Sequence, residues 1–184
     1  MVVDLIRTPT GEDWARAYKL ALGTEGKETD VIPSDIWRAS LIKSEHSPLR
    51  TIMYTVGMYD IPYYVAMHLV RHKIGVEWYV KTQRNDRQND YDRRAARQDT
   101  FVNLIMDANL QAIINIGRRR LCDKADVMTQ MTWRQVLNAI VDNELSLKVR
   151  YAIEIMSAPP CGNCKEFKPC RNIHEVVAKS DTLC

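Results

Sequence analysis

The apolar run at residues 2–6 reads as a short strand. Thr10 with Asp13 three positions on then has the form of a capped helix start, continued by the apolar positions of 14–22. Residues 23–29 are polar and loop-like, and Pro33-Ser34-Asp35 opens a second short helix through 37–42. Residues 49–58 are rich in β-branched and aromatic side chains, the composition of a strand. Asp60-Ile61-Pro62 signals a helix start, with the helix expected to reach about residue 73 and to end at Gly75. Residues 76–82 alternate as a strand does, whereas 83–98 are strongly polar and read as a solvated loop. Asp99-Thr100 is expected to cap a long helix over 101–122. Thr132 with Gln135 resembles a capping box for another helix reaching 156, which Pro159-Pro160 stops. Helices dominate but separate the strands, so a mixed α/β (α+β) architecture is expected. We divide it into a domain over 1–158 and a Cys-containing tail over 159–184.

Composition narrows the classes. The 184 residues are 46% apolar, ordinary for a globular chain with a core of its own. Lys and Arg number 26 against 23 Asp and Glu, a net charge of +3, too small to argue nucleic-acid binding by itself. No run approaches the roughly 18 uninterrupted apolar residues of a membrane span. The N-terminal residues carry Asp4 and Arg7 within their apolar run and lack the h-region of a signal peptide. Five cysteines is an odd number, and three crowd into 161–170 rather than forming a spread disulfide framework. A reducing, cytoplasmic setting is expected.

Two stretches could carry chemistry. In His68 to Arg84 (HLVRHKIGVEWYVKTQR), helical spacing puts His68, Arg71 and His72 on one face. Such a cationic end, followed by Gly75 and a strand, suits an anion, and Arg offers a planar fork of donors. A solvated basic helix end favoured by the helix dipole has the same pattern. In Asn109 to Arg120 (NLQAIINIGRRR), an unbroken helix would place Asn109 and Arg120 within about 20° of one stripe, roughly 16 Å apart, with Asn115 on a neighbouring face. Asn amides both donate to and accept from the polar edge of a heterocyclic ring. A polar stripe on an amphipathic helix, with Arg118-Arg119-Arg120 compensating its dipole, is the other reading.

Together these stretches resemble the flavin-dependent thymidylate synthases. That family carries Arg-His-Arg, a variable stretch, then Ser-x-Arg; here Arg71-His72-Lys73 precedes Thr82-Gln83-Arg84, with one extra residue in the interval. Upstream, Ser47-Pro48 stands where the family has Thr/Ser-Pro, and Asn109, Asn115 and Arg120 reproduce its Asn-x5-Asn-x4-Arg spacing without a gap. The resemblance implies a central mixed sheet flanked by long helices, with FAD held by Ser47, Arg71, His72, Lys73, Asn109, Gln111 and Asn115. It implies a pyrimidine nucleotide, dUMP, held by His68, Arg71, Lys81, Thr82, Gln83, Arg84, Arg93, Arg97 and Arg120. Arg120 resembles the family's catalytic Arg, which polarises the uracil. His68 stands where the family has Gln, and the family's signature Glu falls on Val80, with Glu77 nearby. The implied reaction is reductive methylation of dUMP to dTMP, with methylenetetrahydrofolate as carbon donor and NADPH as reductant. No enzyme nucleophile is needed, so Cys122 is read as core. A homotetramer with sites shared between subunits is implied. The departures leave open another pyrimidine product, such as a hydroxymethylated one, or a flavin-binding relative without turnover.

Cys161-x2-Cys164-x5-Cys170-x3-His174 has ligand types and spacings compatible with zinc; free thiols are the other reading. A different class of function also fits: a nucleic-acid-binding protein using the Arg-rich loop, Arg118-Arg119-Arg120 and a zinc knuckle. Asp86, Asp90 and Asp92, interleaved among the arginines, weigh against it.

Overall fold

The computed structural model describes residues 1–84, 86–87, 92, 94–165 and 167–170. Among them the chain forms four strands and six α-helices. Strands β1 (Val2–Arg7), β2 (Met53–Pro62), β3 (Val76–Val80) and β4 (Phe101–Asn109) make one sheet in the order β1-β2-β4-β3. Every pairing is antiparallel, so the α+β class holds while the sheet is not of mixed direction.

Helix α1 (Gly11–Gly23) starts at the reciprocal box of Thr10 and Asp13, and α2 (Asp35–Ser44) at the side chain of Ser34. Both starts are local hydrogen bonds and are read correctly from sequence. The largest departure is β4. Residues 101–109 are a strand, and helix α4 is confined to Leu110–Arg120. Val102, Leu104, Met106 and Ala108 recur with period two and are buried. β4 is a central strand, with β2 on one side and β3 on the other, so both its edges are hydrogen-bonded. That pairing overrides the Asp99-Thr100 cap signal.

Other boundaries move for similar reasons. Residues 47–51 form a 3₁₀ turn, and β2 runs on to Pro62, leaving α3 as Tyr63–Leu69. A register shift between Met58 and Ile61, with Asp60 at φ 55°, carries β2 through the expected helix start. The last helical stretch is two helices, α5 (Val127–Asn143), capped by Asp126 rather than Thr132, and α6 (Leu147–Ser157), capped by Ser146. Thr132 instead donates to the Met128 carbonyl within α5.

Tyr54, Val56 and Met58 of β2 lie opposite Ala108, Met106 and Leu104 of β4. All six are buried and face the helices. The opposite pairs include Thr55 with Asp107, joined by a 2.7 Å hydrogen bond on the more open face. No helix among the described residues is long and apolar enough to cross a membrane.

Helices α4 and α6 cross at Gly117, where a Cβ would stand 2.8 Å from the Ser157 carbonyl oxygen. Gly117→Val is therefore expected to cost about 3 kcal/mol by overpacking. Thermal unfolding checks this, and an unchanged melting temperature would contradict so close a crossing.

Candidate active site

The site is built around α4. Asn109 ends β4 and caps α4, its side-chain oxygen accepting the Ala112 N–H at 2.9 Å. The same side chain covers Gly75, whose φ of 73° and lack of space for a Cβ suit glycine alone. Asn109 is thus committed to joining the β3 entry to the helix start. It stands at the cap position rather than within a continuous helical stripe.

At the other end of α4, Arg120 reaches the turn after α3. Its Nε–H donates to His72 Nε2 at 3.0 Å, and a second guanidinium nitrogen donates to the His68 carbonyl. The structure thereby joins two segments 48 residues apart. Burial first, then the charges of Arg120 and Arg119, push the His72 pKa down to about 4. His72 is therefore neutral at pH 7, accepts at Nε2 and carries its proton on Nδ1. Partial burial and the neighbouring Arg71 charge also lower the Arg120 pKa, but a guanidinium remains protonated. Trp78 of β3 donates to the His72 carbonyl at 2.7 Å and holds this turn against the sheet.

His68 is fixed by α5. Its Nδ1 lies 2.9 Å from Thr129 Oγ1, and that hydroxyl donates to Asp126 at 3.1 Å. With its proton committed to Asp126, the hydroxyl accepts from His68, so Nδ1 bears hydrogen in this contact.

The depressed His72 pKa has a sign that can be tested. Unfolded, an ordinary histidine titrates near 6.5; folded, His72 titrates near 4. The unfolded state thus binds more protons between these values. The contribution is present above about pH 6.5 and is lost as pH falls towards 4. The urea midpoint should drop through this window, and His72→Asn should flatten that part of the profile. An equal drop in the variant would exclude His72 as its source.

A second polar cluster lies on the other side of α4. Gln111 Nε2 donates to Glu45 at 2.6 Å and to Asn115 Oδ1 at 3.4 Å. Arg118 donates to both Glu45 oxygens, at 2.6 and 3.2 Å, and to the Met156 carbonyl at 2.7 Å. Its hydrogen bonding and charge hold the Glu45 carboxyl below the usual range. At about 100° per residue, Gln111 and Arg120 point to opposite sides of α4. The two clusters meet round its C-terminal end. A cavity of about 450 Å³ lined by Asn115, Arg118, Arg119 and Cys122 shares the last two with one of about 300 Å³ at His72 and Arg120. A further cavity of about 470 Å³, lined by Thr10, Trp14, Arg38 and Glu144, contains none of the candidate ligand-binding residues named from sequence.

The remaining candidates are more dispersed. Arg71 and Lys73 are exposed beside His72. Ser47 opens the 3₁₀ turn and lines a separate cavity with Trp37 and His46. Lys81, just after β3, donates its backbone N–H to Asn103, and Thr82 Oγ1 accepts from the Arg84 N–H. Gln83 is half-buried. Arg84 pairs with Asp86 at 2.7 Å and Arg97 with Asp99 at 3.0 Å, all exposed. Arg93 and His174 lie outside the described residues. Glu77 is exposed on β3, and Cys122 is half-buried beyond α4 rather than in the core. Cys161, Cys164 and Cys170 are free thiols, and among the described residues no three His, Cys, Asp or Glu side chains are placed to hold a metal. Sequence reasoning missed Glu45, Thr129 and Trp78, and read Arg118 as dipole compensation or as part of a nucleic-acid surface rather than as the partner of Glu45. The partners of Glu45, Thr129 and Arg118 lie too far along the chain for a local signal, whereas Trp78 meets His72 across six residues and is missed because an indole N–H does not announce its acceptor.

No family sequence model and no curated protein sequence matches the chain. Solved structures do. Thymidylate synthase X (ThyX) from Helicobacter pylori, with FAD and dUMP, superposes with a TM-score of 0.66 at 14% identity, over 85% of this chain and 99% of that one. A second structure of the H. pylori enzyme, the flavin-dependent thymidylate synthase ThyX complexed with FAD and dUMP, gives 0.65 at 15% identity, with the same coverage. A UMP/dUMP methylase, PolB from Streptomyces cacaoi bound with 5-Br dUMP, gives 0.65 at 14% identity, over 86% and 97%. At such identities the likeness is one of architecture, and it spans nearly the whole of each neighbour. The chain has the fold of the flavin-dependent thymidylate synthases.

Proposed function

We propose that this protein is a flavin-dependent enzyme that methylates C5 of dUMP, giving dTMP. The observation that carries this reading is the clamp on Arg120, held by neutral His72 and the His68 carbonyl at the junction of α3 and α4. It unites the two sequence stretches that resemble the family, within the family's fold. The donor set fits FAD and a nucleotide: Arg71, Lys73 and Arg120 supply cations for phosphate, and Gln111 and Asn115 supply amides for a ring edge.

FAD, when bound, supplies the carbon and hydride transfer from methylenetetrahydrofolate, with NADPH as reductant. The residues of this chain bind and polarise. Arg120 stabilises negative charge on the uracil ring, and its plane is set beforehand by His72 and His68. His72 stays neutral, so it holds Arg120 without repelling it. His68, anchored through Nδ1 to Thr129, leaves its Nε2 for the nucleotide, in the place of the family's Gln. After β3, Thr82 and Arg84 hold the nucleotide phosphate, with Lys81 and Gln83 as their neighbours and Arg93 or Arg97 joining them. Arg84 would exchange Asp86 for phosphate. Ser47, Asn109, Gln111 and Asn115 complete the flavin side. Because Gln111 and Arg120 face opposite sides of α4, a homotetramer in which different subunits complete one site suits this arrangement better than a monomer. The exposed pairs Arg84–Asp86 and Arg97–Asp99 offset charge in and beside the 83–98 stretch and do not favour a nucleic-acid surface.

Purified protein is expected to be yellow or to take up added FAD, and to form dTMP from dUMP with methylenetetrahydrofolate and NADPH. Cofactor identification after denaturation, with chromatography of the nucleotide product, tests this. Colourless protein that takes up no FAD would overturn the reading; FAD uptake with a hydroxymethylated product would correct the reaction alone.

A further inference from the structure

Glu45 is the C-terminal cap of α2, at φ 50° and ψ 34°, a left-handed conformation in which glycine is the unstrained residue. A carboxylate kept at a strained position points to a task for its side chain. Its oxygens accept two hydrogen bonds from Arg118 and one from Gln111. An ionised carboxylate only accepts, so the Gln111 amide must turn its NH₂ towards Glu45. The second hydrogen of that NH₂ goes to Asn115 Oδ1, which fixes the Asn115 amide in turn. What remains on this side of α4 is the carbonyl oxygen of Gln111 and the NH₂ of Asn115, and Asn115 is exposed.

We propose that Glu45 is a positioning residue that sets the hydrogen-bonding polarity of the Gln111–Asn115 pair, so that α4 presents one acceptor and one donor. That pattern complements a cyclic imide edge, an N–H beside a C=O, as in the pyrimidine ring of a flavin. The inference rests on the flavin reading above and adds to it the group that selects the ring edge. Asn115 and Gln111 alone, free to rotate, would accept either polarity; the carboxylate removes that freedom.

The test compares FAD with FAD methylated at the imide nitrogen, using the full-length protein in its native assembly and flavin fluorescence quenching as readout. The wild type is expected to bind FAD at least about tenfold tighter than the methylated form, since a site built to pair an N–H rejects the analogue lacking it. In Glu45→Gln, Arg118 holds the new carbonyl oxygen, so the new NH₂ faces Gln111 and turns its amide around. The ratio should then narrow to within about threefold, at a melting temperature near that of the wild type. Gln111→Met, which leaves the Glu45–Arg118 pair in place, should narrow it as well. A merely structural role for Glu45 would lower stability and leave the ratio intact. If the wild type binds FAD and both variants keep its ratio, this inference falls and the flavin reading stands. If the wild type binds neither flavin, both fall.

Discussion

Arg120→Ala is expected to lower dTMP formation about a thousandfold while FAD stays bound. The loss corresponds to removing one preorganised charge that acts on the ring as it becomes anionic. Flavin should be retained because Arg120 lies on the side of α4 away from Gln111 and Asn115. Arg120→Lys keeps the charge but not the fork that spans His72 Nε2 and the His68 carbonyl. It should recover only a small part of the rate. Steady-state kinetics with absorbance of the bound flavin separates the two effects. Full turnover in the alanine variant would remove Arg120 from the catalytic role.

Trp133→Ala is expected to give the largest loss of stability, about 3–5 kcal/mol. Trp133 is fully buried on α5 within the hydrophobic core cluster. A loss of that size is a large part of the total stability of an ordinary domain, about 5–15 kcal/mol, and lowers the melting temperature by roughly 6–20 °C. Its indole N–H is buried without a hydrogen-bond partner among the described residues. Trp133→Phe should therefore be much milder, because lost volume is partly offset by removing an unpaired donor. The effect reaches the site, since α5 also carries Thr129, which holds His68. Calorimetry of both variants checks the order, and an alanine variant as stable as the phenylalanine one would contradict it.

The two variants also separate the parts of the site that are legible locally from those that are not. Arg120 is singled out as a candidate by its spacing from Asn109 and Asn115, which is an interval within one stretch of chain. Trp133, Thr129 and Glu45 leave no such trace. Glu45 meets Gln111 across 66 residues, and Thr129 meets His68 across 61. Of the zinc candidates, Cys161, Cys164 and Cys170 are not gathered into a ligand set of three, and His174 lies outside the described residues.

The sequence by itself determined what depends on near neighbours. The Thr10–Asp13 box, the Ser34 cap, the stop before Pro159-Pro160 and the α+β class all follow from hydrogen bonds or dihedral limits within a few residues. It also determined the family likeness, carried by residues 47, 71–73, 82–84, 109, 115 and 120. Only the tertiary structure decided that 101–109 is a central strand, because hydrogen bonding along two neighbours outweighs a local helix signal. It alone turned Asn109 into a cap and set Arg120 against His72. It alone drew Glu45 onto Gln111 and Arg118 of α4. These are contacts between distant segments, and their free energy comes from burial and pairing that exist only once the sheet and helices have closed on each other.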